Sequence, residues 1–418
     1  MESRTTSWIS PTRLTLVFLV ASALVISQAQ TFRVLHTFHG RNGSDPVGPV
    51  VRDIDGSIYG ATGVGGTGKC STGCGTVFKL NEVGKQVWLY SFKGRNASVT
   101  VTGVHRDKAG NLYGAAQEGG TINQTCPLGC GFVFKLDKNL RETVLHKFSG
   151  TPDGYYPIGP LVEDSAGNLY GTTQSGGTSG LGSVFKVDKT GKETVLYSFT
   201  GGSDGCAPDA GLTMDTSGNL YGVTIQGGNG FCNSGYGVAF KLNTTGKETV
   251  LHTFGGADGA YPSSVLLLDS VGNFYGVTEA GGTSIACGGG CGTVFEMSHS
   301  GRYTVLYSFC SLNNSCDDGE GPTGKLARDS SGNLYGTAYF GGKSTHCNGT
   351  CGVAFKLDTT GKETVIHNFR GGTDGGSPES GLVIDNVGNL YGTTFEGGDD
   401  NCDPGVAPGC GVVFEITP

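Results

Sequence analysis

One phrase, Gly218-Asn219-Leu220-Tyr221-Gly222, recurs in this or a closely related form seven times, and every other recognisable feature keeps its distance from it. Its tyrosines are Tyr59, Tyr113, Tyr170, Tyr221, Tyr275, Tyr335 and Tyr391, spaced 51 to 60 residues apart. A period of that length belongs to repeat architectures, not to one asymmetric core. Each unit reads as four short β segments, A to D, which in the fourth unit are residues 211–215, 219–224, 237–242 and 248–254. They are rich in β-branched and aromatic residues and are separated by turn residues. The A to B link is Asp-x-x-Gly-Asn (Asp215 to Asn219) and the C to D link is Thr-Gly-Lys-Glu (Thr245 to Glu248). Both suit tight hairpins, with Asp capping the turn and Gly taking positive φ. As a calcium loop the first falls short, since calcium takes about six to eight oxygen ligands.

Four strands per unit and seven units predict an all-β fold, a seven-bladed β-propeller of four-stranded antiparallel blades. Residues 31–38 (TFRVLHTF) form a D segment with no A, B or C before it, and the last unit has A, B and C but no D. The N-terminal strand is therefore expected to pair near Val413 and close the ring, which removes exposed edges. Kelch units would carry a tryptophan each, whereas only Trp8 and Trp88 occur, and the Gly-His and Trp-Asp pairs of WD40 units are absent.

Residues 1–29 read as a signal peptide, with Arg4 and Arg13 flanking a polar start, an apolar run at 14–26 and small residues following it. That run is shorter than the ~20 residues that span a bilayer. Residues 30–418 are read as one propeller domain, exported to an extracellular or periplasmic location and monomeric. Removal of residues 1–29 makes the formal charge one unit more negative than −8, which argues against nucleic acid and anionic membranes as partners.

The phrases GNLYGTT, CGTVFKLD, GKETVLYSF and the DG..P..GL that follows recur over residues 31–418, and with them the chain resembles the GloVer-type tandem repeats of secreted bacterial proteins. The resemblance implies export and a propeller-like repeat, and it implies no catalytic residues. Members often end in a sorting signal, and this chain stops at Pro418 without one.

The fourteen cysteines of an exported chain read as seven disulfides. Cys70/Cys74, Cys126/Cys130, Cys287/Cys291, Cys347/Cys351 and Cys402/Cys410 pair within B to C loops, and Cys310/Cys316 within a D to A loop. Cys206 and Cys232 join two loops, which share one end of an antiparallel blade. The stapled loops are expected to contribute little to the core between blades. The sharper alternative is a four-sulfur zinc site from Cys287, Cys291, Cys347 and Cys351. Oxidation on export favours the disulfides, so no metal and no cofactor is called for.

One position of segment D reads His36, Tyr90, His146, Tyr197, His252, Tyr307, His367. Such exchange points to packing between blades rather than catalysis, and His39, His105, His299 and His346 form no cluster. Strand A is expected to line the channel, and the residue before its final Asp reads Arg52, Arg106, Glu163, Met214, Leu268, Arg328, Ile384. That set does not resemble an acid/base or calcium site. Long loops, all the cysteines and the acidic phrases at Asp153, Asp204, Asp258, Asp318 and Asp374 fall on one face, where binding is usually placed. Departures from the repeat there, Asn96-Ala97-Ser98, Tyr155, Tyr156, Phe231 and Tyr236, are the candidate contacts. The sequence thus favours a binding scaffold for an extracellular glycan or protein. A propeller enzyme of lactonase, lyase or hydrolase type, or a structural envelope component, are the alternatives.

Overall fold

The computed structural model describes residues 30–70, 73–94, 101–311, 315–344, 347, 350–399, 402 and 409–418. The predicted signal segment, Asn96-Ala97-Ser98 and His346 lie outside them. Seven antiparallel sheets form, each with A innermost and D outermost in the order A-B-C-D. Blade three is representative: A is Tyr155–Glu163, B Leu169–Ser175, C Ser183–Val187 and D Glu193–Ser198. The seventh sheet takes A, B and C from Val383–Ile384, Leu390–Thr394 and Val412–Thr417, and its fourth strand from Thr31–Thr37. His36 lies opposite Val413, so the ring closes as the sequence predicts. Among the described residues no helix is long and apolar enough to cross a membrane.

The recurring phrase folds for reasons visible in blade four. Asp215 accepts from the backbone N–H groups of Ser217 and Asn219, from the Asn219 amide at 2.7 Å and from the Tyr221 hydroxyl at 3.0 Å. Burial pushes its carboxyl up, but the bonds from Asn219 and Tyr221 outweigh this and hold it below the ordinary carboxylate range. Gly222 lies opposite Phe240 of strand C, and a Cβ there would stand 2.8 Å from the ring. The closing glycine of the phrase therefore makes room for a strand C phenylalanine in every blade.

Neighbouring blades meet through three sets of contacts. The last phenylalanine of each D strand packs edge-on against the strand C phenylalanine of the next blade, with Phe199 to Phe240 at 5.2 Å and Phe369 to Phe414 at 5.1 Å. Such pairs add about 0.5–1.5 kcal/mol each beyond area burial. On the short-turn face Arg52 and Arg106 stack over Tyr391 and Tyr59 of the preceding blade, at 4.8 and 5.1 Å, and pair with its turn aspartates Asp385 and Asp53. On the opposite face lies a backbone seam. The N–H groups of Asp45, Tyr156, Gly321 and Ser377 donate to the carbonyls of Cys410, Cys130, Cys291 and Cys351 in the preceding blade, at 2.8–3.2 Å. Blades three to four and four to five use Leu181 and Tyr236 in the same way, toward Ala207 and Tyr261.

All seven predicted cysteine pairs face each other as disulfides: Cys70–Cys74, Cys126–Cys130, Cys206–Cys232, Cys287–Cys291, Cys310–Cys316, Cys347–Cys351 and Cys402–Cys410. Their place in the fold corrects the expectation that the stapled loops contribute little to the core between blades. Cys74 is fully buried and packs with Val77 and Phe92 of blade one and Phe132 and Phe134 of blade two, so it is a core residue between blades and is closed to any ligand. Cys126, Cys130, Cys206, Cys310, Cys351 and Cys410 are fully buried too, and Cys291 nearly so. The reason is physical: an oxidised cysteine is a small apolar side chain, and the staples turn sulfurs inward just before strand C, as at Cys74, Cys130, Cys291, Cys351 and Cys410, or after strand D, as at Cys206 and Cys310. The zinc alternative is not what the folding brings together, since the sulfurs near Cys287 and Cys291 are those of Cys310 and Cys316.

Candidate ligand site at the channel mouth

Strand A does border the channel, but through other residues than the sequence reading chose. Side chains alternate along a strand, so one residue of register decides which ones face the axis. Counting back from the turn aspartate, the second, fourth and sixth residues face the channel, and the first, with Arg52 and Arg106, points between blades. The second row includes Val51, His105, Val162 and Val383 around a lower cavity of about 380 Å³. The fourth row is a narrow waist of Pro49, Gly103, Pro160, Gly211, Val265, Lys325 and Gly381. Backbones touch there: a Cβ on Gly381 would lie 2.2 Å from the Lys325 nitrogen.

The sixth row opens onto the cysteine-bearing face in an upper cavity of about 360 Å³. Its charged lining is Asp209 and Glu379 from strand A approaches, Glu279 from the end of strand B in blade five, and Lys325 at the floor. Gln117, Ser263 and Thr323 add neutral polar groups. Asp209 accepts from the Gln174 amide at 2.9 Å. Glu279, Glu379 and Lys325 make no ion pair or side-chain hydrogen bond among the described residues. Burial, then the charge of Glu279, pushes the Asp209 carboxyl up to about 7. Burial, with Glu279, Asp45 and Asp209 as neighbours, pushes Glu379 up to about 7 as well. Burial raises Asp45 to about 6 and lowers the pKa of Lys325. The three carboxylates ring the cavity without converging on one point, so they suit several separate donors of a ligand better than one small ion.

The rim is shaped by a strained slot. Asp45, Tyr156, Ala207, Tyr261 and Ser377, each eight residues before the turn aspartate and each followed by proline, have φ between 50 and 59°. Gly321 holds the same place at φ 61°. Left-handed backbone at non-glycine residues costs about 1–2 kcal/mol, and here it aims the seam N–H at the preceding blade. Three aromatic pairs lie at the same end of the blades: Tyr155 with Tyr156 at 4.9 Å, Tyr236 with Tyr261 at 6.0 Å and Tyr339 with Phe340 at 4.5 Å.

The repeat pattern that builds this ring matches the Gloeobacter/Verrucomicrobia repeat over residues 24–232 and 218–407. The chain belongs to that family. No curated protein matches it. Among solved structures, this Gloeobacter/Verrucomicrobia repeat chain is similar to the extracellular domain assigned to a hybrid two-component system of B. thetaiotaomicron, at 13% identity and TM-score 0.54 over 94% of this chain and 41% of that one. The extracellular domain assigned to a one-component system of the same organism matches at 11% identity and TM-score 0.55, over 91% and 39%. The chain thus spans about two fifths of the length of both, and the likeness is one of fold. A gluconolactonase of Xanthomonas campestris matches at 12% identity and TM-score 0.42, over 74% of this chain and 82% of that one.

Within the family's fold the residues singled out by sequence fall into two groups. Tyr155 and Tyr156 are partly buried and pack against the core between blades two and three, whereas Tyr236, 39% exposed, and Phe231, 87% exposed, lie in the loop before strand C on the cysteine-bearing face. The aspartates are built into the scaffold: Asp204 accepts from Tyr197, from the Thr200 N–H and hydroxyl and from the Gly202 N–H. Asp153, Asp258 and Asp374 bond His146, His252 and His367, and Asp318 bonds Tyr307. The alternating His/Tyr position is thus an inter-blade device, and His252 also stacks on Tyr303 of the next blade at 3.7 Å. Asp209, Glu279, Glu379 and Lys325 were missed. Lys325 stands four residues, and Asp209 and Glu379 six residues, before the turn aspartate, where the sequence reading took only the residue directly before it. A hollow of about 680 Å³ lies between blades three and four on the short-turn face, but its Asp164 and Asp215 are already bonded by Asn168, Tyr170, Asn219 and Tyr221.

Proposed function

We propose that the protein is an exported binding module that takes an extracellular ligand, the end of a glycan or a small polar molecule, into the channel mouth on its cysteine-bearing face. The observation that carries this reading is that Glu279, Glu379 and Lys325 face one cavity with no partner of their own among the described residues. Glu279 and Glu379 are exposed at the mouth and Lys325 is half-buried below them, so acceptors and a donor are both open to an arriving ligand, and the raised carboxyl of Glu379 in such a cleft marks a candidate site. The exposed rings of Tyr236, Tyr261 and Phe340 on the same face supply flat surfaces for sugar or peptide contact. Seven disulfides support an oxidising compartment. The extracellular domains of similar fold support placement outside the cytoplasm.

A glycan and secreted-protein array should yield a hit that Glu279→Gln, Glu379→Gln or Tyr236→Ala weakens, with unchanged melting. Lys192→Ala and Lys247→Ala, in turns at the opposite end, should leave it intact. Loss of binding in the lysine variants with retention in the mouth variants would place the site on the other face.

A further inference from the structure

We infer that the ligand of the channel mouth is a sugar acid, whose carboxylate seats on Lys325 while its hydroxyls donate to Asp209, Glu279 and Glu379. This rests on the binding-site reading above and names the chemical class for that site. Lys325 occupies the waist position where the other six blades place proline, glycine or valine. It borders both the upper and the lower cavity, which makes it the basic residue at the floor of the mouth.

Withdrawal from water already disfavours its charge. An arriving carboxylate would form a charge-assisted hydrogen bond, the strong kind, where none now exists. Above the floor the wall is made of acceptors and of groups that serve either way: Asp209, Glu279, Glu379, the Gln117 amide and the Ser263 hydroxyl. Each carboxylate can accept from more than one hydroxyl. A neutral sugar would satisfy this wall and leave Lys325 unpaired, whereas an amine would satisfy the carboxylates and set a like charge above the lysine. A hydroxyl-rich ring bearing one carboxylate answers both. The cavity of about 360 Å³ lies near the low end of ligand sites, which run from about 300 to 1,000 Å³. The carboxylates that would repel such a ligand are weakened as repellers below about pH 7, where Asp209 and Glu379 take up protons. The other titratable groups nearby are Asp45, Glu396 and Tyr339, whose ordinary values burial also raises.

Titration calorimetry on the whole protein below that pH tests the inference, with a galacturonic acid trimer, the neutral galactose trimer and a glucosamine trimer as probes. The acidic trimer should bind about tenfold or more tightly than either other, a difference of one good charge-assisted contact. Lys325→Met should erase that preference and Lys325→Arg should keep most of it, both variants melting near the parent. Equal or tighter binding of the neutral or amino trimer, or a preference that survives Lys325→Met, overturns the sugar-acid assignment. Should no trimer bind while another array hit is lost in Glu279→Gln, the mouth stands as a site and the ligand class is wrong. Should every hit survive both Glu→Gln changes, the binding-site reading itself fails.

Discussion

Gly222 and Ala207 show how single positions in this repeat are fixed by opposite constraints. Gly222 has ordinary backbone angles and is small because a phenylalanine ring lies across it, so Gly222→Ala must displace Phe240 or bend the strand. The expected loss is about 1–3 kcal/mol, the usual cost of overpacking, read from the midpoint of denaturant unfolding. Ala207 is the converse case, with φ at 50° in the slot that blade six fills with Gly321. Ala207→Gly removes the clash of its Cβ in the left-handed region, worth about 1 kcal/mol or somewhat less once the freer unfolded chain is counted. A rise in the midpoint is expected, and a fall would show that the slot is not strained.

At the scale of strands and loops, the outer edges of the blades carry a pH-sensitive seam. Glu193, Glu248 and Glu363 each begin a D strand and lie against Asp153, Asp204 and Asp318 of the preceding blade junction. Burial first, and then those aspartate charges, push the three carboxyls up to about 7, 7 and 8 from 4.5, and each has one buried oxygen without a hydrogen bond. A carboxyl that holds its proton more tightly folded than unfolded stabilises the fold fully below the unfolded value and loses that stabilisation as pH rises through the folded one. The turn aspartates such as Asp215 act in the other sense, and their contribution is lost only as pH falls through values below 3.8. Melting temperature should therefore be higher at pH 5 than at pH 8.5, and the double change Glu248→Gln, Glu363→Gln should flatten that slope. A slope unaltered by the double change would remove these residues as its source. The stapled loops belong to the same scale, because a disulfide that includes Cys130, Cys291, Cys351 or Cys410 fixes the carbonyl that the next blade bonds. Opening Cys347–Cys351 should cost roughly 2 kcal/mol by loop entropy, with hydrogen exchange faster at the Ser377 N–H than at seams without a changed staple. What the sequence made legible here followed from repetition. Seven copies of one phrase exposed strand order, turn chemistry and cysteine pairing, since each unit is a control for the others. Spacing shows which cysteines pair but not how deep they lie, so the burial of Cys74 between blades one and two was not legible. The channel lining was hidden for another reason, because it depends on one residue of register along strand A. In that strand the bulges at Gly48, Gly159 and Gly324 interrupt a plain alternation.

For the whole molecule the decisive contact is the one that makes a line of blades into a ring. Thr31–Thr37 contributes the outer strand of the seventh sheet, with Thr31 opposite Thr417 and Thr37 opposite Val412. Arg33 adds a hydrogen bond at 3.0 Å to Glu415, Phe32 stacks on His367 at 3.7 Å, and Phe38 is fully buried against Phe78 of blade one. These contacts join residues almost a full chain length apart, so they close the largest loop the molecule has and form only when all seven blades are in place. Burial of Phe38 alone is worth about 1.5–3 kcal/mol, and its loss would also uncover Phe78 and leave Val412–Thr417 as an open edge. An open edge of alternating apolar residues is a template for pairing with a second chain. A chain beginning at Gly40 should therefore melt well below the parent and form dimers or larger species as concentration rises. A synthetic peptide of residues 31–39 added in excess should restore both melting and the monomeric state, because it can refill the vacant place beside Val413. Unchanged melting in the shortened chain, or no response to the peptide, would show that the ring holds without its closing strand.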